Sequence, residues 1–172
     1  MTKQIIWGLV GFFLLASAQS LRAQLTTTGL ETLANATTLN TQQNPVVAMD
    51  ASGAYVVVWE SLNQDGDGYG IYAQVYSAAG TVIVPEFLVN TTTASDQRKP
   101  DVAINNGGQF IVTWQSYTPT GSNGWDVYYK IYRLNGTLIL GETRANNTTV
   151  GTQRHPKAAA TRTNTYVITW ES

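Results

Sequence analysis

Cysteine is absent from this chain of 172 residues, so no disulfide can stabilise it, and folding depends on core packing, helped at most by a metal ion. Charged residues are also scarce, at 12% of the chain, and the formal net charge is −1. Neither half is basic, which excludes the electrostatic footprint of a nucleic-acid-binding protein. No segment after residue 24 is apolar over the length that a membrane-spanning helix needs, so no membrane span is expected in the mature chain.

Apolar and aromatic residues are plentiful instead. The chain is 43% hydrophobic and holds nine Tyr and five Trp alongside fifteen Gly. Disordered chains lack the aromatic and β-branched residues whose burial offsets the entropy of ordering. This composition therefore predicts a β-rich globular protein.

Residues 1–23 have the pattern of a secretory signal peptide. Lys3 supplies the positive start, residues 5–16 form the apolar run, and small residues at 16–18 precede one cleavage site. A second plausible cleavage site follows Ala23. We expect a protein that is secreted and that lies outside the cell or at its surface; an uncleaved N-terminal anchor is the alternative.

The remaining residues, 24–172, contain one repeat at a spacing of 55 or 56 residues. The fourth strand of one unit is expected at about 29–35, followed by unit one at 45–89, unit two at 100–145 and a partial unit three at 156–172. Since the units end part-way, we expect the chain to be an N-terminal fragment of a longer protein. The matched positions are Glu31, Glu86 and Glu142; Asn35, Asn90 and Asn146; Gln42, Gln97 and Gln153; Pro45, Pro100 and Pro156; and Trp59, Trp114 and Trp170.

Each unit contains four strand signals separated by turn residues. In unit one they fall at 46–50, 54–61, 70–77 and 82–89, with Gly, Asn and Asp between them. Four short antiparallel strands at a period near fifty predict an all-β fold of β-propeller-like blades, forming a partial propeller. A β-sandwich of two such meanders is the alternative.

The loop that begins at Asn63 has the spacing of a calcium site. Asn63, Asp65 and Asp67 supply side-chain oxygens at positions one, three and five, and Gly68 provides the sharp turn at position six. The pattern then departs, because position twelve is Gln74 rather than glutamate. These three side chains are the candidate metal ligands and calcium the candidate ion; a polar hairpin turn without metal is the alternative.

Other repeated residues are interpreted as structural. Asn-x-Thr segments are expected to bond the backbone of the connection between units, and the repeated glutamates are expected to have a structural role. Trp125, in a loop and without an aromatic counterpart in unit one, is a conceivable binding residue. The single histidine, His155, stands where the other units have Asn44 and Lys99, which argues against a catalytic base. The prediction is that the chain has no catalytic residue and is not an enzyme.

The segments WESLNQDGDGYGIYAQVYSAAGT, EFLVNTTTASDQRKPDVA and FIVTWQS resemble the tandem repeats of large secreted bacterial proteins described as calcium-binding or adhesin-like. The resemblance covers nearly all of residues 30–172. It implies an extracellular scaffold whose partner is an extracellular protein or a carbohydrate. The acidic loop matches fully only in unit one.

Together these patterns predict a non-catalytic secreted repeat scaffold for binding or cell-surface adhesion. Two alternatives stay open: a non-catalytic part of a secreted carbohydrate-active enzyme, and a self-assembling extracellular structural protein. The sequence assigns no ligand-binding residue.

Overall fold

The computed structural model describes residues 32–118 and 124–172. The predicted signal peptide, Glu31 and the start of the strand predicted at 29–35 lie outside the described residues, and residues 32–35 contain no strand. The strands are β1 (Gln42–Met49), β2 (Tyr55–Leu62), β3 (Tyr69–Tyr76), β4 (Val82–Leu88), β5 (Gln97–Ile104), β6 (Gln109–Thr118), β7 (Gly124–Arg133), β8 (Leu138–Arg144), β9 (Arg154–Ala160) and β10 (Tyr166–Glu171).

The strands form antiparallel meanders that follow one another along the chain. Blade one has the order β1-β2-β3-β4, blade two has β5-β6-β7-β8, and a partial blade three pairs β9 with β10. The first strands of successive blades adjoin, β1 beside β5 and β5 beside β9. This is the arrangement of propeller blades around an axis, so the predicted all-β, propeller-like fold is confirmed and the sandwich alternative is not adopted.

The main core lies between blades one and two. Val56, Val58 and Ile71 of blade one are fully buried there, as are Phe110 and Trp114 of blade two. Burying each such side chain contributes about 1.5–3 kcal/mol. Strand β6 is apolar on both faces because blade two has a neighbour on either side, which matches the continuous apolar run in its sequence.

Each blade's first strand carries a proline preceded by a residue with positive φ. These residues are Asn44 (φ 51°), Lys99 (φ 54°) and His155 (φ 51°). In β1, β5 and β9 the pairing register shifts at this point. A β-bulge leaves a residue out of the ladder, and proline, which has no N–H, is tolerated there. The bulges lie at the same end of adjoining strands, so they bring three non-identical side chains together.

In the part of the chain that the structure describes, no helix is long and apolar enough to cross a membrane.

Candidate functional site

The three bulges surround a recess at one end of the first strands, which we call the axial rim. Its volume is about 230 Å³. The residues that line it come from β1, β5 and β9: Asn44, Pro45, Val46, Lys99, Pro100, His155, Pro156 and Lys157. The repeat therefore places one variable polar side chain from each blade beside a constant proline.

Glu60 at the end of β2 connects the bulges of blades one and two. Its carboxylate is fully buried and accepts hydrogen bonds from the Asn44 side chain (2.9 Å), the Gln43 side chain (2.9 Å) and the backbone N–H of Lys99 (2.7 Å). Arg98 adds an ion pair, with Nε 3.3 Å from Oε2. A positive φ costs free energy for a residue that has a side chain, and contacts with the surroundings must offset that cost. The hydrogen bond from the Lys99 N–H to Glu60 is one such contact.

Gln115 has the equivalent position in blade two. It is buried, and its Oε1 accepts the backbone N–H of His155 at 3.0 Å. Gln115 therefore contacts the backbone of the next bulge as Glu60 does, but through a neutral amide instead of a carboxylate. In blade three, Glu171 Oε2 lies 2.9 Å from His155 Nδ1. The position after the repeated tryptophan is thus a carboxylate in blades one and three and an amide in blade two.

A second recess, of about 300 Å³, opens beside the axial rim, and we call it the Trp125 recess. Arg98, Lys99, Gln115, Trp125, Arg154 and His155 line it. Trp125 is half-buried, and its ring centroid lies 5.3 Å from that of Tyr117.

Trp125 does have an aromatic counterpart in blade one. Tyr69 pairs with Leu62 at the end of the β2–β3 hairpin, and Trp125 pairs with Tyr117 near the end of the β6–β7 hairpin. The prediction that Trp125 sits in a loop without a counterpart is therefore wrong. The two hairpins differ in length by one residue, which hides the match in a gapless comparison. The blade-one ring is covered, because the Arg98 guanidinium lies 4.3 Å from the Tyr69 centroid.

The predicted calcium ligands lie in the β2–β3 loop and have protein partners. Asp65 Oδ2 accepts a hydrogen bond from Asn90 Nδ2 (3.2 Å), and Asp67 Oδ2 accepts the backbone N–H of Ser95 (2.9 Å). Asn63 has a positive φ and donates its N–H to the Gly68 carbonyl. The described residues include no group of three or more His, Cys, Asp or Glu that could hold a metal ion. Among the described residues, Asp65 Oδ1 is buried and has no hydrogen-bond partner. Calcium binding by this loop stays a prediction.

The repeated asparagines form a hydrogen-bond staple between a blade and the connection that follows it. Asn90 is 3% exposed; its Oδ1 accepts the Ile71 N–H (2.7 Å) and its Nδ2 donates to the Thr92 carbonyl (2.9 Å) and to Gln97 Oε1 (3.1 Å). The same Nδ2 reaches Asp65. The prediction that these segments bond the backbone of the connection is confirmed.

Asn146 forms the corresponding staple after blade two. Its Oδ1 accepts the Val127 N–H (2.8 Å), and its Nδ2 donates to Asp126 Oδ1 (2.6 Å) and to the Thr148 carbonyl (2.8 Å).

Burial raises the pKa of Tyr72 to about 12, with the Asp65 charge as the next cause. Burial is also the main cause that raises the pKa of Tyr128, and the Asp126 charge is the next. The two carboxylates thus act on equivalent tyrosines.

The repeated glutamates bind the connection that precedes their blade. Glu86 accepts the Ala36 N–H (2.7 Å), the Thr37 hydroxyl (2.8 Å) and the Gln64 side chain (2.6 Å). Burial alone would raise the pKa of Glu86, but these hydrogen bonds outweigh it and lower the pKa. Glu142 accepts the Thr91 N–H at 2.6 Å in the same way. The predicted structural role is therefore confirmed for Glu86 and Glu142, while Glu31 lies outside the described residues.

No protein-family model and no curated protein matches the chain. Among solved structures, an endo-arabinase from Bacteroides thetaiotaomicron is similar, with 13% identity and a TM-score of 0.50, over 76% of this chain and 51% of that one. An alpha-L-arabinanase from Penicillium chrysogenum, complexed with arabinobiose, has 15% identity and a TM-score of 0.52, over 74% of this chain and 39% of that one. The chain thus spans about half or less of these structures, which share its propeller-like β fold.

This likeness overturns the prediction that the chain is not an enzyme. That prediction interpreted a propeller-like repeat as a non-catalytic scaffold, yet two enzymes are built on the same fold. Repeated residues report on the frame that the units share, whereas function depends on side chains grafted onto that frame. The residues that differ between blades at the axial rim are therefore the candidates for a functional role.

Proposed function

We propose that this chain supplies blades of a secreted, carbohydrate-active β-propeller protein, in which the axial rim and the Trp125 recess bind a polysaccharide. The Trp125 recess carries the proposal. Sugar rings present an apolar face and many hydroxyls, and binding sites for small ligands combine apolar or aromatic walls with a few convergent polar groups. A half-buried indole beside the Gln115 amide and the Arg154 guanidinium provides that combination.

The two arabinanase structures support the class of ligand. One of them is a complex with arabinobiose, so the shared fold is compatible with carbohydrate binding. At 13% and 15% identity the likeness extends to the fold alone, and the carbohydrate is therefore part of the proposal. Secretion is proposed from the signal-peptide pattern, and the resemblance to adhesin-like repeats supports an extracellular setting. Surface adhesion through a bound glycan would extend the same binding role.

The experiment is a binding and hydrolysis survey with the intact protein. Its affinities for neutral and acidic polysaccharides are measured by affinity electrophoresis and calorimetry, and new reducing ends are assayed in parallel. Trp125→Ala is expected to weaken binding about tenfold or more, since aromatic anchors in recesses dominate affinity. Tyr69→Ala is the matched control, because the Tyr69 ring is already covered by Arg98. Absence of binding to every polysaccharide, or equal loss in both variants, would overturn the proposal.

A further inference from the structure

We infer that the Trp125 recess selects an acidic saccharide, one that bears carboxylate or sulfate groups. The inference rests on the proposed function and names the ligand class of the same site. It comes from a difference in charge between the two junctions that link successive blades.

At the first junction the arginine is neutralised. Glu60 is fully buried and its Oε2 lies 3.3 Å from Arg98 Nε. At the second junction Arg154 has the place of Arg98, but the equivalent of Glu60 is Gln115, whose amide makes the same backbone contact without a charge. In the part of the chain that the structure describes, no carboxylate lies within 4.0 Å of the Arg154 guanidinium.

Lys99 adds a second cation to the recess. Its backbone N–H is held by Glu60, while its ammonium has no carboxylate within 4.0 Å among residues 32–118 and 124–172. Both Lys99 and Arg154 are exposed. His155, which also lines the recess, has its Nδ1 2.9 Å from Glu171 Oε2. The recess therefore presents two cations to solvent around a neutral amide.

The aromatic wall is open at the same junction. Arg98 lies over Tyr69, but within the described residues no guanidinium lies over the Trp125 ring. A sugar ring stacked on the indole would place its substituents beside Arg154 and Lys99. Guanidinium and ammonium groups form charge-assisted hydrogen bonds with carboxylate and sulfate, about twice as strong as neutral ones. A neutral sugar would leave both charges without a counterion from the ligand.

The test uses the intact protein with three probes: polygalacturonate, dextran sulfate and neutral linear arabinan. Binding is measured at ionic strengths of about 0.01 M and about 0.1 M, over which the Debye length falls from about 30 Å to about 10 Å. We expect either acidic probe, or both, to bind at least about tenfold more tightly than arabinan at the lower salt. The preference should shrink at the higher salt.

The variants change charge with little change of shape. Arg154→Gln is expected to weaken binding of the acidic probe about tenfold, and Gln115→Glu should weaken it similarly by giving Arg154 the partner that Arg98 has. Arg162→Gln removes an equal charge from the β9–β10 turn and should have no effect. Circular dichroism and thermal unfolding of each variant identify any that fails to fold, and the exposed Arg154 and Arg162 changes remain informative if the buried Gln115 variant does not fold.

The outcomes separate the two proposals. Acidic-probe binding that falls with Arg154→Gln and not with Arg162→Gln supports the inference, and the two acidic probes distinguish carboxylate from sulfate. If arabinan binds as tightly as both acidic probes, or if Arg154→Gln leaves acidic-probe binding unchanged, the acidic preference is overturned and the proposed function stands. Binding of none of the polysaccharides overturns both.

Discussion

Blades one and two build the same staple from different positions of the repeat. In blade two, Asp126 on β7 accepts the hydrogen bond of Asn146. The repeat-equivalent residue on β3 of blade one is Gly70, and the bond of Asn90 goes to Asp65 in the preceding loop. A Cβ at Gly70 would lie 2.6 Å from Asp65 Oδ2, so the loop carboxylate fills the space that a side chain at position 70 would need.

This difference changes the interpretation of the acidic loop. Its Asp-Gly-Asp-Gly run resembles the first half of a calcium loop, yet one of its carboxylates replaces a strand residue in a hydrogen-bond network. Asp65 therefore has a structural reason to be acidic whether or not a cation binds. Chemically equivalent contacts between blades do not require equivalent sequence positions, because space and hydrogen-bond partners select the side chain.

The largest effect is expected from removal of the staple asparagine. Asn146→Ala leaves the buried Val127 N–H without its partner and removes one hydrogen bond from Asp126, whose other oxygen lies 4.0 Å from Arg144. An unsatisfied buried group costs about 1–3 kcal/mol. The free energy of unfolding in urea should fall by about 3 kcal/mol, and Asn90→Ala should act alike. The exposed neighbour Asn147→Ala is the control, expected to change it by less than about 0.5 kcal/mol. A loss in only one blade would show that the staples are not equivalent.

The next largest effect would test directly whether Asp65 in blade one has the role of Asp126 in blade two. Gly70→Asp introduces a side chain against Asp65 and should lower the free energy of unfolding by about 1–3 kcal/mol through overpacking. Combining it with Asp65→Ala should recover most of the loss, because the introduced carboxylate then has the place of Asp126. Denaturant unfolding of the two single variants and the double variant forms the cycle. Additive losses would contradict the shared use of one space.

A smaller effect would separate the two aspartates of the loop. Asp65→Ala should destabilise the protein by about 1–2 kcal/mol even in a chelator, since it leaves Asn90 with one bond fewer. Asp67→Ala, which loses one exposed bond to Ser95, should cost less than about 1 kcal/mol. The calcium prediction requires a higher melting temperature of the parent in millimolar calcium and a smaller gain in Asp67→Ala. No shift in the parent would end it.

The smallest effect concerns pH and the half-buried Glu86. The folded pKa of Glu86 is below its ordinary value of 4.5, so its stabilisation is present above that value and is lost as the pH falls through the lowered pKa. Glu86→Gln should therefore flatten the loss of stability in this acidic window while lowering stability slightly at neutral pH. Melting temperatures measured from neutral to acidic pH, compared with those of Glu171→Gln, provide the check. Parallel profiles for the parent and Glu86→Gln would contradict it.

The strands were predictable because their signals are local. Alternation in the segment around Val56 and the glycine-containing turns specify β2 and β3 within a few residues, and the repeat spacing specifies how many strands make a blade. Even so, β1 begins at Gln42 rather than at residue 46, because the bulge at Asn44 allows pairing to continue past the proline. A proline reads as a boundary in the sequence, but at a bulge it needs no donor.

The site was predictable only in part. Trp125 was singled out from the sequence, and the repeated Asn and Glu residues were assigned their structural role. The charge difference at the junctions was missed, although its signal is present: the residue after the repeated tryptophan is Glu60 in unit one and Gln115 in unit two. Nothing local indicates that this residue contacts the bulge of the following unit, 39 or 40 positions along the chain.

The class of fold follows from the sequence alone, since apolar residues alternate at the period of a strand and each unit must cover its apolar faces with neighbours. Which side chains meet at the blade junctions depends on the folded arrangement. Asp65 has the role of Asp126, Gln115 gives Arg154 no carboxylate partner, and among the described residues no guanidinium lies over Trp125 as Arg98 lies over Tyr69. The physical reason is that strand periodicity acts between neighbours in the chain, whereas space, charge and hydrogen-bond pairing at the blade junctions act between residues that only folding brings together.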